Sequence, residues 1–562
     1  MTRSCTSLLL PDRADIGPFG EEPVVPIDRL PENPSVDRLK AHAKTLRDLV
    51  RVGVEGSIAL VRDHHPRYAN LVAGTAEATG FRLADAQLTV ARHYEFGSWA
   101  KLRHHVELVN RLTRSPHLQP TGGPLVDDNA RADEVLRLAC LNYGNDRPER
   151  WDQAANFLDT HPQLATNSIF VAAAVGDATA AAHILNNDPT WASREGGPFR
   201  WPPLLYLTYS RFPPRAGSDH VEVAELLLAN GADPNAGFLW DGLPSPFTAL
   251  AGVFGRGEGG APPHRQELAL ARLLLNVGAN ANDSQTIYNR GLGDIARDDT
   301  EWLELLLDHG LGRGDGGPWR RLLAQAHQSP TEIVADLLQH AAATGLEQRT
   351  RLLLDRGVDP DAPGTHPSFA GRRPYEQAIL NGNLLVADML AGAGADTTTV
   401  APLDRFIGAC LAGDRFAVND ATRAEPTLIP TALQHRPDLI ARASEASRPQ
   451  AIALLVELGF DINDRHRTTA LHEAALRGDR PTVELLISLC ADPNIVDTEH
   501  HSTPAGWAEH NGHTAIVTYL NQSRPPVGAT NPFPLVSVHA ANGQNTRPTT
   551  PRKQNRHPRK GA

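Results

Sequence analysis

Apolar residues recur every three or four positions along most of the chain, which is the period of a helix with one buried face. Between residues 35 and 112 this pattern predicts four helices. The first begins after Ser35, a typical N-cap residue, and places Leu39, Ala43 and Leu46 on one side. Such helices bury their apolar faces against one another, so we expect a small helical domain here.

Pro-, Gly- and Asn-rich stretches interrupt the helical pattern and predict the segment boundaries. The predicted segments are a disordered Pro-rich arm (1–34), a small helical domain (35–112), a linker (113–128), a helix pair capping an array (129–163), a repeat array of about nine or ten units, several degenerate (164–521), and a disordered basic tail (522–562). At 562 residues the chain is too long for a single hydrophobic core, in agreement with this division.

Two sequence blocks recur in the predicted array. The first is a run of small residues that ends in Gly and a polar residue, as in "AALRGD" (474–479) and "AEHNGH" (508–513). The second is Leu-rich and ends in a turn, as in "LLLANGADPN" (226–235) and "LISLCADPN" (486–494). The glycines of the first two examples are 34 residues apart, so one unit is a helix, a turn, a second helix and a loop.

The stretch "TALHEAALRGDRPTVELLISLCADPN" (469–494) resembles the ankyrin repeat. The resemblance implies an all-α solenoid of helix-turn-helix units with projecting hairpins. It implies that Thr469 and His472 hydrogen-bond within the repeat and to its neighbour, and that Gly478 and Gly512 end first helices. In that family the concave face of hairpins and first helices binds proteins, and the family shares no catalytic residue. The helical domain at 35–112 is similar to a leader found in some bacterial ankyrin proteins.

Cys490 departs from the pattern of the other repeat copies. It stands where these copies have Gly231, Gly278, Gly357 and Gly459, at the end of the second helix. Glycine is preferred there because the turn needs a left-handed backbone, which a side chain disfavours. We therefore expect Cys490 to adopt a strained conformation.

The chemical motifs of common enzymes are absent from the sequence. It contains no G-x-S-x-G elbow, no G-x-x-x-x-G-K-[ST] loop and no H-E-x-x-H helix. His472 and Glu473 lack a second histidine four residues on, where position 476 is Leu. The sequence therefore predicts no catalytic residue, no metal site and no cofactor. An enzyme with a site in residues 35–160 is an alternative from a different class.

The composition adds predictions about location and partners. The four widely spaced cysteines suit a reducing cytoplasm, no apolar run is long enough to span a membrane, and five lysines among 54 basic residues indicate a GC-rich bacterial genome. The chain is expected to be a monomer. Residues 521–562 carry seven Lys and Arg and no acidic residue. Weak binding of nucleic acid or an anionic surface by residues 522–562 is therefore the alternative function.

The leading prediction is a non-catalytic scaffold or regulator that binds an unidentified protein on the concave face of its repeats. Large or charged residues in the hairpin loops are the candidate contacts, because turn geometry does not explain them. The candidate contacts are Phe238, Leu239, Trp240, Arg465, His466, Glu499, His500 and His501. The aromatic residues among them have an alternative role, which is packing against a neighbouring repeat.

Overall fold

The computed structural model describes residues 30, 34–257, 260–292, 298–323, 328–366, 369, 371–465 and 467–523. Most of the predicted arm and the predicted tail from 524 onward lie outside the described residues, as does His466. The chain divides into two compact units, each described here by itself. The first unit is Met1–Arg436 with Gln450–Leu458, and the second is Pro437–Pro449 with Gly459–Ala562.

Five helices form the N-terminal part of the first unit. They are Val36–Val52 (α1), Glu55–His64 (α2), Ala76–Thr79 (α3), Leu83–His93 (α4) and Trp99–Leu112 (α5). Ser35 and Ser98 cap α1 and α5, each accepting a backbone N–H three residues on. The helices enclose their own hydrophobic cluster, which includes Leu39, Leu46 and Phe81. We refer to residues 35–112 as the leader.

Helices continue along the array that follows. They are Asp128–Ala139 (α6), Pro148–Thr160 (α7), Gln163–Asn167 (α8), Ile169–Val175 (α9), Ala178–Asn187 (α10), Pro203–Tyr209 (α11), His220–Ala229 (α12), Ala249–Phe254 (α13), Glu267–Asn276 (α14), Ser284–Ile287 (α15), Glu301–Asp308 (α16), Gly317–Leu323 (α17), Pro330–Thr344 (α18), Glu347–Asp355 (α19), Pro374–Leu380 (α20), Leu384–Gly392 (α21), Pro402–Ala412 (α22), Arg415–Ala424 (α23), Leu428–His435 (α24), Leu439–Glu445 (α25), Pro449–Glu457 (α26), Ala470–Arg477 (α27), Arg480–Ser488 (α28), Pro504–His510 (α29) and Thr514–Gln522 (α30).

The sequence explains why short, alanine-rich helices such as α9 alternate with amphipathic helices such as α10 along the array. In α9 the alanines are buried on every side, because small side chains let neighbouring helices approach closely. Gly176 then ends α9, and Asp177 caps α10 by accepting the backbone N–H of Ala180 at 2.9 Å. The core of the array in this unit runs from α6 through the packed faces of successive helix pairs.

A short sheet joins the leader to the array in the first unit. Its strands are Thr113–Arg114 (β1), Gly237–Trp240 (β2) and Pro246–Thr248 (β3), in the order β1-β2-β3. Strand β1 pairs in parallel with β2, with Thr113 opposite Leu239, and β2 pairs antiparallel with β3. The first two residues of the predicted linker form strand β1 because β2 supplies their hydrogen-bond partners.

The second unit contains the repeat copy at residues 469–494. Helices α25, α27 and α29 are successive first helices, and α27 packs against both of the others. The second helices α28 and α30 cover one side, burying Val483, Leu486, Ile516 and Leu520. The hairpin loops that connect the repeats lie at residues 460–465 with 467–468, and at 490–503.

The fold confirms the predicted all-α repeat class. Helices make up most of the described chain, and the three short strands form its only named sheet among the described residues. No helix in the described ranges is long and apolar enough to cross a membrane.

Candidate functional site: the hairpin tips of the second unit

Thr469 and His472 connect one repeat to the next. The Thr469 backbone N–H donates to His472 Nδ1 at 3.2 Å, and the Thr469 hydroxyl lies 2.8 Å from the same nitrogen. Because Nδ1 accepts, Nε2 carries the proton and donates to the Ser502 carbonyl at 3.0 Å. Burial lowers the pKa of His472, so the ring is neutral at pH 7. These bonds tie the first turn of α27 to the loop that leads into the next repeat.

The turn after α27 needs glycine for two separate reasons. Gly478 has a φ of 75°, in the left-handed region. A Cβ at this position would also lie 2.7 Å from the ring of His513. His513 is held there because its Nε2 donates to the Leu476 carbonyl at 3.1 Å. Gly512 has the same φ of 75° at the corresponding turn after α29.

Asp497 organises the last hairpin loop from inside. Its side chain is 1% exposed. The carboxylate accepts the backbone N–H groups of Glu499 at 2.8 Å, His500 at 2.6 Å and Ser502 at 2.9 Å, and the Trp507 indole N–H at 3.0 Å. Burial alone would raise the pKa of Asp497, but these four donors hold it well below its usual range. The loop is thus fixed around a buried anion.

The loop presents charged side chains beside those of the preceding hairpin. Glu499, His500 and His501 are exposed at its tip, and Arg465 is exposed on the hairpin before it. Arg465 Nη1 donates to the Val496 carbonyl at 3.0 Å, and Arg467 Nε lies 3.6 Å from Glu499 Oε1. We call Arg465, Arg467, Glu499, His500 and His501 the tip surface. Of the candidate contacts in these two hairpins, the structure describes Arg465, Glu499, His500 and His501. All four belong to the tip surface.

The candidate contacts in the first unit have different surroundings. Phe238 is 2% exposed and packs between Trp201, Tyr209 and Phe247. Leu239 is completely buried, against Leu108 and Val109 of the leader. Because buried side chains present no surface to a partner, the prediction of Phe238 and Leu239 as contacts is corrected.

Trp240 is half-buried rather than exposed. Its indole Nε1 donates to the Asn142 carbonyl at 3.1 Å, and its ring lies 4.4 Å from that of His117. The aromatic side chains of this hairpin therefore pack against other parts of the chain, which is the alternative role predicted for them.

Sequence reasoning missed Asp497 and Arg467. The signal for Asp497 was an Asp that precedes a polar loop, since Asp side chains often accept the N–H two or three residues on. Nothing local marks Arg467, whose position depends on the neighbouring hairpin. Across the described ranges, no group of three or more His, Cys, Asp or Glu is arranged to hold a metal ion.

Residues 439–531 match the family model for ankyrin repeats in three copies, and the chain belongs to the ankyrin-repeat family. Ankyrin repeats generally mediate protein–protein interaction. Within this family the chain is similar to human cyclin-dependent kinase inhibitor 2A. The two are 32% identical over 123 residues, which cover 19% of this chain and 76% of the human protein.

Proposed function

We propose that this protein is a non-catalytic interaction protein that binds a partner protein through the tip surface and the adjoining first helices of its second unit. The observation that carries the proposal is the loop held by Asp497. Four donors fix the loop around one buried carboxylate, while Glu499, His500 and His501 remain exposed. A surface that is ordered before binding loses less conformational entropy on association.

The chemistry of the tip surface suits a polar protein partner. Arginine, glutamate and imidazole groups lie side by side. A partner protein with complementary charges would be oriented by these groups when it binds. Trp507 is half-buried beneath the loop, with its ring 6.1 Å from that of His500. Aromatic and Arg side chains contribute much of the energy in protein interfaces. We therefore place Trp507 and Arg465 at the centre of the proposed contact.

The similarity to a kinase inhibitor supports a function by binding alone. The human protein is by its name an inhibitor of a kinase, and its similarity to this chain covers 76% of its length. We carry over only that an ankyrin-repeat protein can act on another protein.

Affinity capture with the full chain, followed by calorimetry on the captured protein, tests the proposal. Glu499→Lys reverses a charge of the tip surface, and we expect it to weaken binding at least tenfold. Glu484→Lys is the matched control, because Glu484 is exposed on α28, outside the hairpins. Equal binding by both variants would move the contact elsewhere. Capture of nucleic acid alone, lost when residues 524–562 are removed, would favour the alternative function.

A further inference from the structure

The leader and the array in the first unit have separate hydrophobic cores. One cluster lies inside the leader, and another runs through the array. A small third cluster joins them, in which Leu108 and Val109 of α5 bury against Leu239 of β2 and Leu323 of α17. Leu112 and Trp319 pack around this cluster. The junction is therefore small compared with the two cores that it connects.

The chain beyond α5 continues across the same hairpin as an extended segment. Strand β1 adds to β2 in parallel, and the Asp241 backbone N–H donates to the Arg114 carbonyl at 2.9 Å. The Ser115 hydroxyl donates to Asp241 Oδ1 at 3.0 Å, and the ring of His117 covers that of Trp240. We call residues 108–118, which include the end of α5 and the extended segment after it, the strap.

One ion pair gives the strap chemical specificity. Arg114 Nη2 lies 2.9 Å from Glu195 Oε2, and Arg114 Nε donates to the Arg200 carbonyl at 3.4 Å. The strap thus combines an apolar helix end, main-chain pairing and one basic side chain. An extended peptide that adds a strand to a sheet uses the same combination, in which the main chain supplies affinity and the side chains supply specificity.

The strap is followed by a segment with few bonds of its own. Residues 119–127 are mostly exposed and include the turn residues Pro120, Gly122 and Gly123. Gly122 donates its N–H to Glu134 Oε1 at 2.7 Å. Because the side chains of this connection are mostly exposed and take no part in a core, it can move with the strap away from the hairpin without disturbing α6.

The geometry points to a peptide-docking surface, made of the β2–β3 hairpin with Trp319 and Leu323, that the strap occupies in cis as an autoinhibitory contact. The ligand that opens it is a partner protein segment with an apolar helix end followed by an extended stretch carrying one basic residue. This surface belongs to the first unit and does not depend on the tip surface. While the strap is in place Leu239 offers no surface to a partner, and it becomes accessible only when the strap leaves.

The test uses the full chain and a synthetic peptide of residues 106–119, labelled at its N-terminus. Leu108→Asp places a charge in the junction cluster while leaving the leader core intact. Asn110→Asp is the matched control, since Asn110 is exposed on the same helix. The readouts are hydrogen exchange at residues 238–241 and fluorescence anisotropy of the peptide.

We expect Leu108→Asp to speed exchange of the Asp241 amide at least tenfold and to bind the peptide at least tenfold more tightly than the wild type. The Asn110→Asp variant should match the wild type in both. A peptide with Glu in place of the residue that corresponds to Arg114 should bind more weakly, because it would face Glu195. Should Leu108→Asp fail to fold, the double variant Arg114→Ala with Ser115→Ala serves instead. Unchanged exchange in a folded variant, or rapid exchange without peptide binding, would overturn the proposal.

Discussion

Two hairpins at comparable positions in the repeat have opposite exposure. The hairpin of β2 and β3 contains Phe238, Leu239 and Trp240, and its side chains are buried or half-buried. The loop after Asp497 contains Glu499 and His500, and its side chains are exposed. Apolar side chains in a hairpin are stabilised when another segment of the chain buries them. Charged side chains remain in water, so the loop that carries them is ordered by hydrogen bonds to a buried group instead. Whether a hairpin stays open to a partner therefore depends on which segment covers it or anchors it in the folded chain.

The largest expected effect tests the covered hairpin. Leu239→Ala removes a fully buried side chain from the junction cluster and should lower the free energy of unfolding by about 3 kcal/mol. Glu499→Ala, on the uncovered hairpin, should change it by less than about 0.5 kcal/mol. Urea unfolding of both variants measures the difference. Similar losses at the two positions would contradict the contrast between the hairpins.

The internal anchor of the open loop should matter next. Asp497→Ala leaves three backbone N–H groups and one indole without their acceptor and should cost about 2 kcal/mol. Hydrogen exchange at residues 499–502 should also accelerate. Asp492→Ala is the control, because Asp492 accepts the Asn494 N–H at 2.9 Å in an exposed turn. If the two variants behaved alike, Asp497 would not be the anchor.

A smaller effect, of opposite sign, is expected at Cys490. Its φ is 72°, as the comparison of repeat copies predicted, while Gly459 at the equivalent turn has a φ of 92°. Cys490→Gly should raise the free energy of unfolding by about 1 kcal/mol, since it relieves the left-handed strain of a side chain. Gly459→Ala should lower it by a similar amount, because no atom within 4 Å would meet the added Cβ and only backbone strain remains. A urea midpoint that falls for Cys490→Gly would refute this explanation.

The smallest expected effect is a pH dependence at the base of the open loop. The folded pKa of His472 lies below its ordinary value of 6.5 because the ring is buried. Between these two values the unfolded chain binds more protons, so stability is present above pH 6.5 and declines as the pH falls below it. The urea midpoint should therefore drop between pH 7.5 and 5.5, and the drop should be smaller in His472→Gln. Equal drops in both proteins would assign the effect to other groups.

Local pattern was sufficient for the repeat and its turns. The spacing of apolar residues predicted the helices, and the recurrence of glycine predicted the left-handed turns at Gly478 and Gly512. The strap was not predictable in the same way. A two-residue strand has no periodicity to detect, and its partner β2 is distant in sequence. Asp497 carried a local signal, an Asp before a polar loop, but its four donors come together only in the folded hairpin.

The sequence by itself determined the class of this protein, because a helix-turn-helix unit repeated at one period can bury its apolar faces only by stacking. It also determined the strained turn at Cys490, since the other copies of the repeat have glycine at that position. Only the tertiary structure decided which hairpin residues face water. Leu239 and Glu499 both lie in hairpin loops, but the leader covers Leu239, while Asp497 holds Glu499 at an exposed tip. Exposure depends on contacts between segments far apart in the chain, and those contacts form only when it folds.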